Sequence, residues 1–253
     1  MNLQQRQLKI TLIGDTCIDE YHYGYVERIS PEAPVPIFVE DKVETKSGMA
    51  SNVAKNLEAL GVNVTTYFGV PSTKIRIIDS KSNQHILRID KDVKSKQLST
   101  DTKFDTNTDA FVISDYDKGF VSYEIVEKII KTGKLVFIDT KKTDLQRFSG
   151  GIVKINSIEY KNAKSLPDKL IVTNGARDVT FGNLKYEVPH VEITDVCGAG
   201  DTFLAAFAYR YINSFDYGDA IKFAIQAASV TVKHIGVYAP TLEEILCQGK
   251  TAS

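Results

Sequence analysis

Short apolar runs recur along the chain, and each ends in a polar or glycine-rich turn. Leu8 to Ile13 precedes Gly14-Asp15, Ala110 to Ile113 precedes Ser114-Asp115, and Leu135 to Ile138 precedes Asp139. Ile152 to Ile155 precedes Asn156, and Leu170 to Thr173 precedes Asn174-Gly175. Apolar runs of this length read as strands buried on both faces. Helical spacing appears between them, over 47–61 and over 121–131. Strand and helix in alternation predict an α/β fold with a mostly parallel sheet and right-handed crossovers. In such sheets ligands gather at the carboxyl ends of the strands. Asp15 and Asp19 fall just past the first such end and suit hydroxyl recognition, because a carboxylate accepts several hydrogen bonds. They read otherwise as a turn residue and a surface residue.

The stretch Thr194-Asp195-Val196-Cys197-Gly198-Ala199-Gly200-Asp201-Thr202-Phe203 opens an apolar run with helical spacing, Phe203, Leu204, Phe207, Ala208 and Tyr211. A helix start carries unpaired N–H groups and partial positive charge. Gly198, Ala199 and Gly200 let that backbone approach a ligand closely. The combination makes an anion cradle suited to phosphate. Asp201 at its mouth would repel a resting phosphate, and its best use is as a general base for an attacking hydroxyl. The plain alternative is a loop with an aspartate cap. The loop lacks the Gly-Lys-Ser/Thr of a P-loop and the third glycine of a dinucleotide fingerprint.

Asp195-Val196-Cys197-Gly198-Ala199-Gly200-Asp201 resembles the D-T-x-G-A-G-D signature of the ribokinase-like (PfkB) carbohydrate kinases, with Val196 in place of Thr. The resemblance implies an anion hole built from Gly198, Ala199 and Gly200, with Asp201 as catalytic base. The string Arg28-Ile29-Ser30-Pro31-Glu32-Ala33-Pro34-Val35-Pro36 resembles that of the bacterial heptose-7-phosphate kinases, including the kinase half of bifunctional kinase/adenylyltransferase proteins. It lies between extended stretches, Tyr21 to Ser30 and Val35 to Glu44, where the family places a β lid. Tyr21, Tyr23 and Tyr25 share one face by period two. Such a face, if exposed, needs a cover: a substrate, the main domain or a second subunit. Lys74 to Asp79 and Gln84 to Asp90 read as a hairpin about Lys81-Ser82-Asn83. Lys74, Arg76 and Arg88 there meet a sugar phosphate or form a solvated strand face, the second being the expectation for any one of them.

The resemblance assigns further residues. Gly48 and Asn52, in Ser47-Gly48-Met49-Ala50-Ser51-Asn52-Val53-Ala54, match a sugar-binding G-G-A-A-N-V-A; Ser47 and Met49 depart from it. Asn52 reads otherwise as a first-turn residue. With Asp15, Asp19 and Lys118, the last in Ser114-Asp115-Tyr116-Asp117-Lys118-Gly119, they form the expected substrate set. Asp139-Thr140-Lys141 resembles D-P-K. Asn156-Ser157-Ile158-Glu159 resembles N-x-x-E, the metal and phosphate end of the nucleotide site. Asn156, Glu159, Thr173, Gly175, Asp195 and Gly236 form the expected cofactor set, for ATP, with Glu159 reaching Mg2+ through water. The chain departs by two internal gaps, after Val70 and after Lys164. Ile225, Gln226 and Ser229 depart from the family's adenine wall.

The remaining expectations are modest. Residues 91–107 hold a short helix or a loop. Gly182-Asn183 turns a hairpin. A long helix runs from Tyr217 to Ile235, and Leu242 to Leu246 closes the chain. A formal net charge of −1 points to neither nucleic acid nor an anionic membrane. Cys17, Cys197 and Cys247 are odd in number and lack metal-ligand spacing, which suits a reducing compartment. No run of about 18 apolar residues occurs, and the start lacks a signal-peptide core; a cytoplasmic protein is expected. No H-x-G-H motif occurs, so no adenylyltransferase half is expected.

Together these predict a ribokinase-like three-layer α/β fold with a central, mostly parallel sheet. Residues 1–253 form one kinase domain, with a small β-sheet lid at about 20–45 and 72–90. The expected function is ATP-dependent phosphorylation of a sugar phosphate, D-glycero-D-manno-heptose 7-phosphate giving the 1,7-bisphosphate, with a homodimer through the lid. The alternatives are another ribokinase-like sugar kinase and a non-catalytic sugar-phosphate-binding relative.

Overall fold

β1 (Lys9–Gly14) pairs in parallel with β4 (Asn63–Phe68) on one side and with β7 (Ala110–Asp115) on the other. It is the first strand of an eight-stranded sheet in a computed structural model that describes residues 6–248. From β7 the parallel order continues through β8 (Leu135–Thr140), β9 (Ile152–Asn156) and β10 (Leu170–Thr173). The antiparallel hairpin β11 (Asp178–Phe181) and β12 (Leu184–Glu187) closes that edge.

Alternate residues of the parallel strands feed two apolar layers, because a strand side chain points to opposite faces with period two. Ile10, Leu12, Val112 and Phe137 face α1 (Ala50–Ala59), α4 (Ala199–Ser214) and α5 (Tyr217–Thr231). Ile13, Phe111, Ile113 and Ile138 face α2 (Tyr123–Ile130) and the 3-10 turn Leu145–Phe148. The result is the expected three-layer α/β/α arrangement. Short α3 (Ser157–Asn162) follows β9, and α6 (Leu242–Gln248) closes the described chain, with Ile245 in the first layer.

The lid is built from the two arms and the hairpin read from the sequence, with arms longer than the 20–45 expected. β2 (Thr16–Ile29) and β3 (Pro36–Met49) are each 14 residues long and antiparallel. β5 (Ser72–Asp79) pairs in parallel with β2, and β6 (His85–Lys91) adds antiparallel to β5. A single four-stranded lid therefore springs from the carboxyl end of β1. Gly14 makes the junction possible: a Cβ there would lie 2.3 Å from the Ser114 carbonyl oxygen.

Of the short helix or loop read over 91–107, the loop forms; its Leu98 and Phe104 pack on the second layer, with Phe104 edge-on to Tyr67 and Phe111. α5 ends at Thr231 rather than continuing to Ile235, and a turn carries the chain to Gly236. Among the described residues no helix is long and apolar enough to cross a membrane.

Candidate active site

The site is built where the carboxyl ends of β1, β7, β8 and β9 meet the start of α4. Gly198 caps α4 in the left-handed conformation, φ +77°. A Cβ at Gly198 would come within 2.7 Å of Asn52 Nδ2, so glycine satisfies both the turn and the close approach of α1. The first turn of α4 leaves N–H groups without intrahelical partners. The Ala199 N–H makes a long 3.4 Å bond to the Val196 carbonyl.

Asp201 lies in that first turn and is buried. Asn52 Nδ2 donates to its Oδ2 at 3.0 Å, and the Tyr116 hydroxyl donates to its Oδ1 at 2.9 Å. Burial pushes its pKa up to about 6, and the two donors hold it back from rising further. A carboxylate poised there is mostly ionised at neutral pH and close to the best range for a general base.

The substrate candidates gather on one side of Asp201. Asp15 is buried; its Oδ2 accepts from the backbone N–H groups of Tyr116 and Lys118, and its Oδ1 has no protein partner. Asp19 on β2 forms a buried ion pair with Arg76 of β5. Arg76 also stands 5.1 Å over the Tyr21 ring. This corrects the expectation of a solvated strand face for Arg76. Arg88 fits that expectation, being exposed and paired with Asp90. Lys74 places its Nζ 6.0 Å from the Tyr116 ring. Gly48 makes room for Asp19: a Cβ would lie 2.3 Å from Asp19 Oδ2. The Lys118 side chain is engaged elsewhere, in an ion pair with Asp92, and only its backbone supports the site through Asp15. Met49, buried beside α1, holds φ +56°, a costly conformation for a side chain of this size.

On the other side of α4 opens a cavity of about 340 Å³. Val179, Val188, Val191, Phe203 and Ile225 line its apolar part; Lys141, Lys154, Asn156 and Glu159 line its polar part. Thr173, Gly175, Ala199 and Gly200 also line it. An apolar slot joined to a polar end at a helix start suits a nucleotide. Asn156 and Glu159 form a capping box on α3: Asn156 Oδ1 accepts from the Ile158 and Glu159 N–H groups, and Glu159 Oε2 accepts from the Asn156 N–H. Glu159 Oε1 pairs with Lys141. Burial first, and then like-charged Lys154, lower the Lys141 pKa, while Asp139 opposes the shift.

Among the described residues no three His, Cys, Asp or Glu side chains converge as a metal cage. The carboxylates that line the polar end of the cavity are Asp139 and Glu159, and hard oxygen donors of this kind suit a divalent cation. Asp195 and Gly236 are brought together, since the Gly236 N–H donates to Asp195 Oδ2 at 2.8 Å, but they do not line the cavity. They tie the loop before α4 to the loop after α5. Gly236 has φ +71°.

Sequence reasoning assigned no role to Lys154 or to the Tyr116 side chain. Tyr116 stood inside a quoted motif directly after a strand end, which was the available signal. Lys154 carried a quieter one, a cation within an otherwise apolar strand, and the structure buries it against Asp139.

Residues 153–245 match the family described as pfkB family carbohydrate kinase. The bifunctional protein HldE of Nitratiruptor sp. is 32% identical over 298 aligned residues, covering 94% of this chain. The chain thus resembles the PfkB family of carbohydrate kinases, by the family model over residues 153–245 and by the HldE relative over 94% of its length. The chain spans 64% of the length of the Nitratiruptor protein. The alignment of 298 residues exceeds the chain's 253, so the relative carries segments that this chain lacks. Ribokinase from Thermotoga maritima superposes with a TM-score of 0.71 at 16% identity, over 96% of this chain and 99% of that one. Arabidopsis thaliana ribokinase complexed with ribose and ATP gives 0.71 at 15% identity, over 96% and 98%. These likenesses establish the ribokinase-like fold.

Proposed function

We propose that the chain transfers the γ-phosphate of ATP to a hydroxyl of a sugar phosphate. The observation that carries this reading is the position of Asp201, between the buried polar groups of Asp15 and Asn52 and the nucleotide-sized cavity beyond Gly200. Asp201 takes the proton of the sugar hydroxyl as its oxygen attacks the γ-phosphorus; the bond to the β-phosphate oxygen breaks and ADP leaves. The N–H groups at the start of α4 meet the charge on the transferring group. A divalent ion, Mg2+, held by ATP phosphates and through water by Glu159, supplies further charge neutralisation when bound. Asp15 Oδ1, buried without a partner, is suited to accept a substrate hydroxyl.

The substrate we propose is D-glycero-D-manno-heptose 7-phosphate, phosphorylated at its anomeric hydroxyl to the 1,7-bisphosphate. The lid string Arg28 to Pro36 and the relatives named HldE support it. The test is ADP release with MgATP and the heptose 7-phosphate, alongside ribose, fructose 6-phosphate and no sugar. Turnover confined to the heptose phosphate supports the assignment. Turnover with another sugar keeps the kinase and moves the substrate, an outcome that buried Met49 at the sugar side makes worth testing.

The lid also carries exposed Val26, Val39, Val43, Leu87 and Ile89. The strand register puts Val26, Val43, Leu87 and Ile89 on one face of the lid, and we assign that face to a second copy of the chain. Sedimentation at the mass of one chain overturns that assignment.

A further inference from the structure

We propose that Tyr116 is the positioning residue of Asp201: its hydroxyl fixes one carboxylate oxygen and keeps the base ionised until a substrate hydroxyl arrives. The inference rests on Asp201 being the base of the proposed kinase. The geometry is specific. The Tyr116 hydroxyl donates to Asp201 Oδ1 at 2.9 Å across 85 residues of chain. Its backbone N–H is anchored on Asp15 Oδ2, at 2.9 Å. Its ring is flanked by Lys74 from the lid, at 6.0 Å, and by Lys141 from the end of β8, at 5.4 Å. The side chain also lines the cavity. It is thus held from the substrate side, the lid side and the nucleotide side at once.

Toward the ionised Asp201 carboxylate the Tyr116 hydroxyl acts as a donor. Burial, and then the nearby Asp201 charge, raise its pKa well above the ordinary value, so the hydroxyl stays protonated. A hydrogen bond to the charged form of a carboxylate favours that form. The other groups around Asp201 pull in both directions. Asn52 donates from α1, Lys154 from β9 and Lys141 after β8 add positive charge, and Asp139 at the end of β8 adds negative charge. Cys17 on β2 and Cys197 before α4 have raised pKa values, chiefly from burial, and stay neutral. Burial opposes the charge on Asp201 more than any of these. Tyr116 and Asn52 are the two groups that touch the carboxylate, and only Tyr116 also stands between lid and cavity.

The test uses Tyr116→Phe, which keeps the ring. Protein labelled with carboxyl-¹³C aspartate reports the Asp201 titration, assigned by its loss in Asp201→Asn. We expect the midpoint, near 6 in the unaltered protein, to rise by about one unit. The acid limb of kcat/KM should move up with it. An unmoved midpoint overturns the proposal, whatever happens to the rate. A moved midpoint in a protein that turns over no sugar keeps the hydrogen-bond role and sinks the kinase reading. A lower rate with an unmoved acid limb sinks the positioning role and keeps the kinase. If Tyr116→Phe fails to fold, the ¹³Cζ signal of Tyr116 in the unaltered protein carries the test. That signal should inflect with Asp201, and a flat titration across this range overturns the proposal.

Discussion

Lys154 Nζ lies 2.7 Å from Asp139 Oδ2, and the pair is shielded from water where the Gly200 carbonyl also accepts from Lys154, at 3.4 Å. A cation at a helix start is electrostatically unfavourable, so Asp139 is what makes its burial tolerable. Removing one member of a buried pair leaves an uncompensated charge. Lys154→Met should cost about 3–5 kcal/mol of stability. Lys154→Met with Asp139→Asn should lose less, since no lone charge remains. Urea unfolding compares the two; a single variant as stable as the double would show that Asp139 finds another partner.

Asp201→Asn removes the proposed base while keeping a side chain that can still accept from Tyr116 or Asn52. Turnover with MgATP and the responsive sugar should fall by about two to four orders of magnitude. Unchanged turnover would remove Asp201 from the chemistry.

The same residue links activity and stability to pH. Its folded pKa, about 6, lies above the unfolded carboxylate value. Activity should fall as pH drops through about 6, because the base becomes protonated. Stability runs the other way. Between about pH 4 and pH 6 the folded chain binds more protons at this site than the unfolded chain does. Its favourable contribution is therefore present below the unfolded value and lost as pH rises through the folded one. The loss above pH 6 is about 3 kcal/mol. Asp201→Asn should then stabilise the protein at pH 7.5, with the gain vanishing toward pH 4. Denaturant midpoints at the two pH values check it, and an equal gain at both would show that burial does not control this carboxyl.

Gly198→Ala places a methyl group 2.7 Å from Asn52 Nδ2 in a left-handed turn. The strained backbone alone should cost about 1–2 kcal/mol. Displacing Asn52 removes one donor from Asp201, so turnover should fall as well. Thermal unfolding and the sugar-dependent rate are the two readouts; a variant unaltered in both would show that the loop relaxes freely.

Much of the fold was legible. The apolar runs at 8–13, 110–113 and 135–138 became adjacent parallel strands or parts of them, since a strand buried on both faces shows its burial in a few consecutive residues. The turn at Gly182-Asn183 and the loop into α4 are local chemistry of the same kind. Residues 91–107 were harder, because Leu98 and Phe104 are isolated apolar residues whose partners, Tyr67, Phe111 and Phe120, lie elsewhere in the chain. The end of α5 was overrun because apolar spacing continues past Thr231, whereas its final turn is set by the Thr194 and Asp195 N–H groups that donate to the Val232 carbonyl.

The candidate site divides along the same line. Local pattern alone determined the glycine loop, the position of Asp201 in its first helical turn, and the capping box of Asn156 and Glu159, since each depends on residues a few positions apart. Only the tertiary structure decided that β5 joins β2 to complete the lid, that Arg76 neutralises Asp19, and that Tyr116 and Asn52 close on Asp201. Those partners lie 57, 85 and 149 residues apart. No periodicity reaches that far; they meet because the parallel sheet brings successive strand ends to one edge.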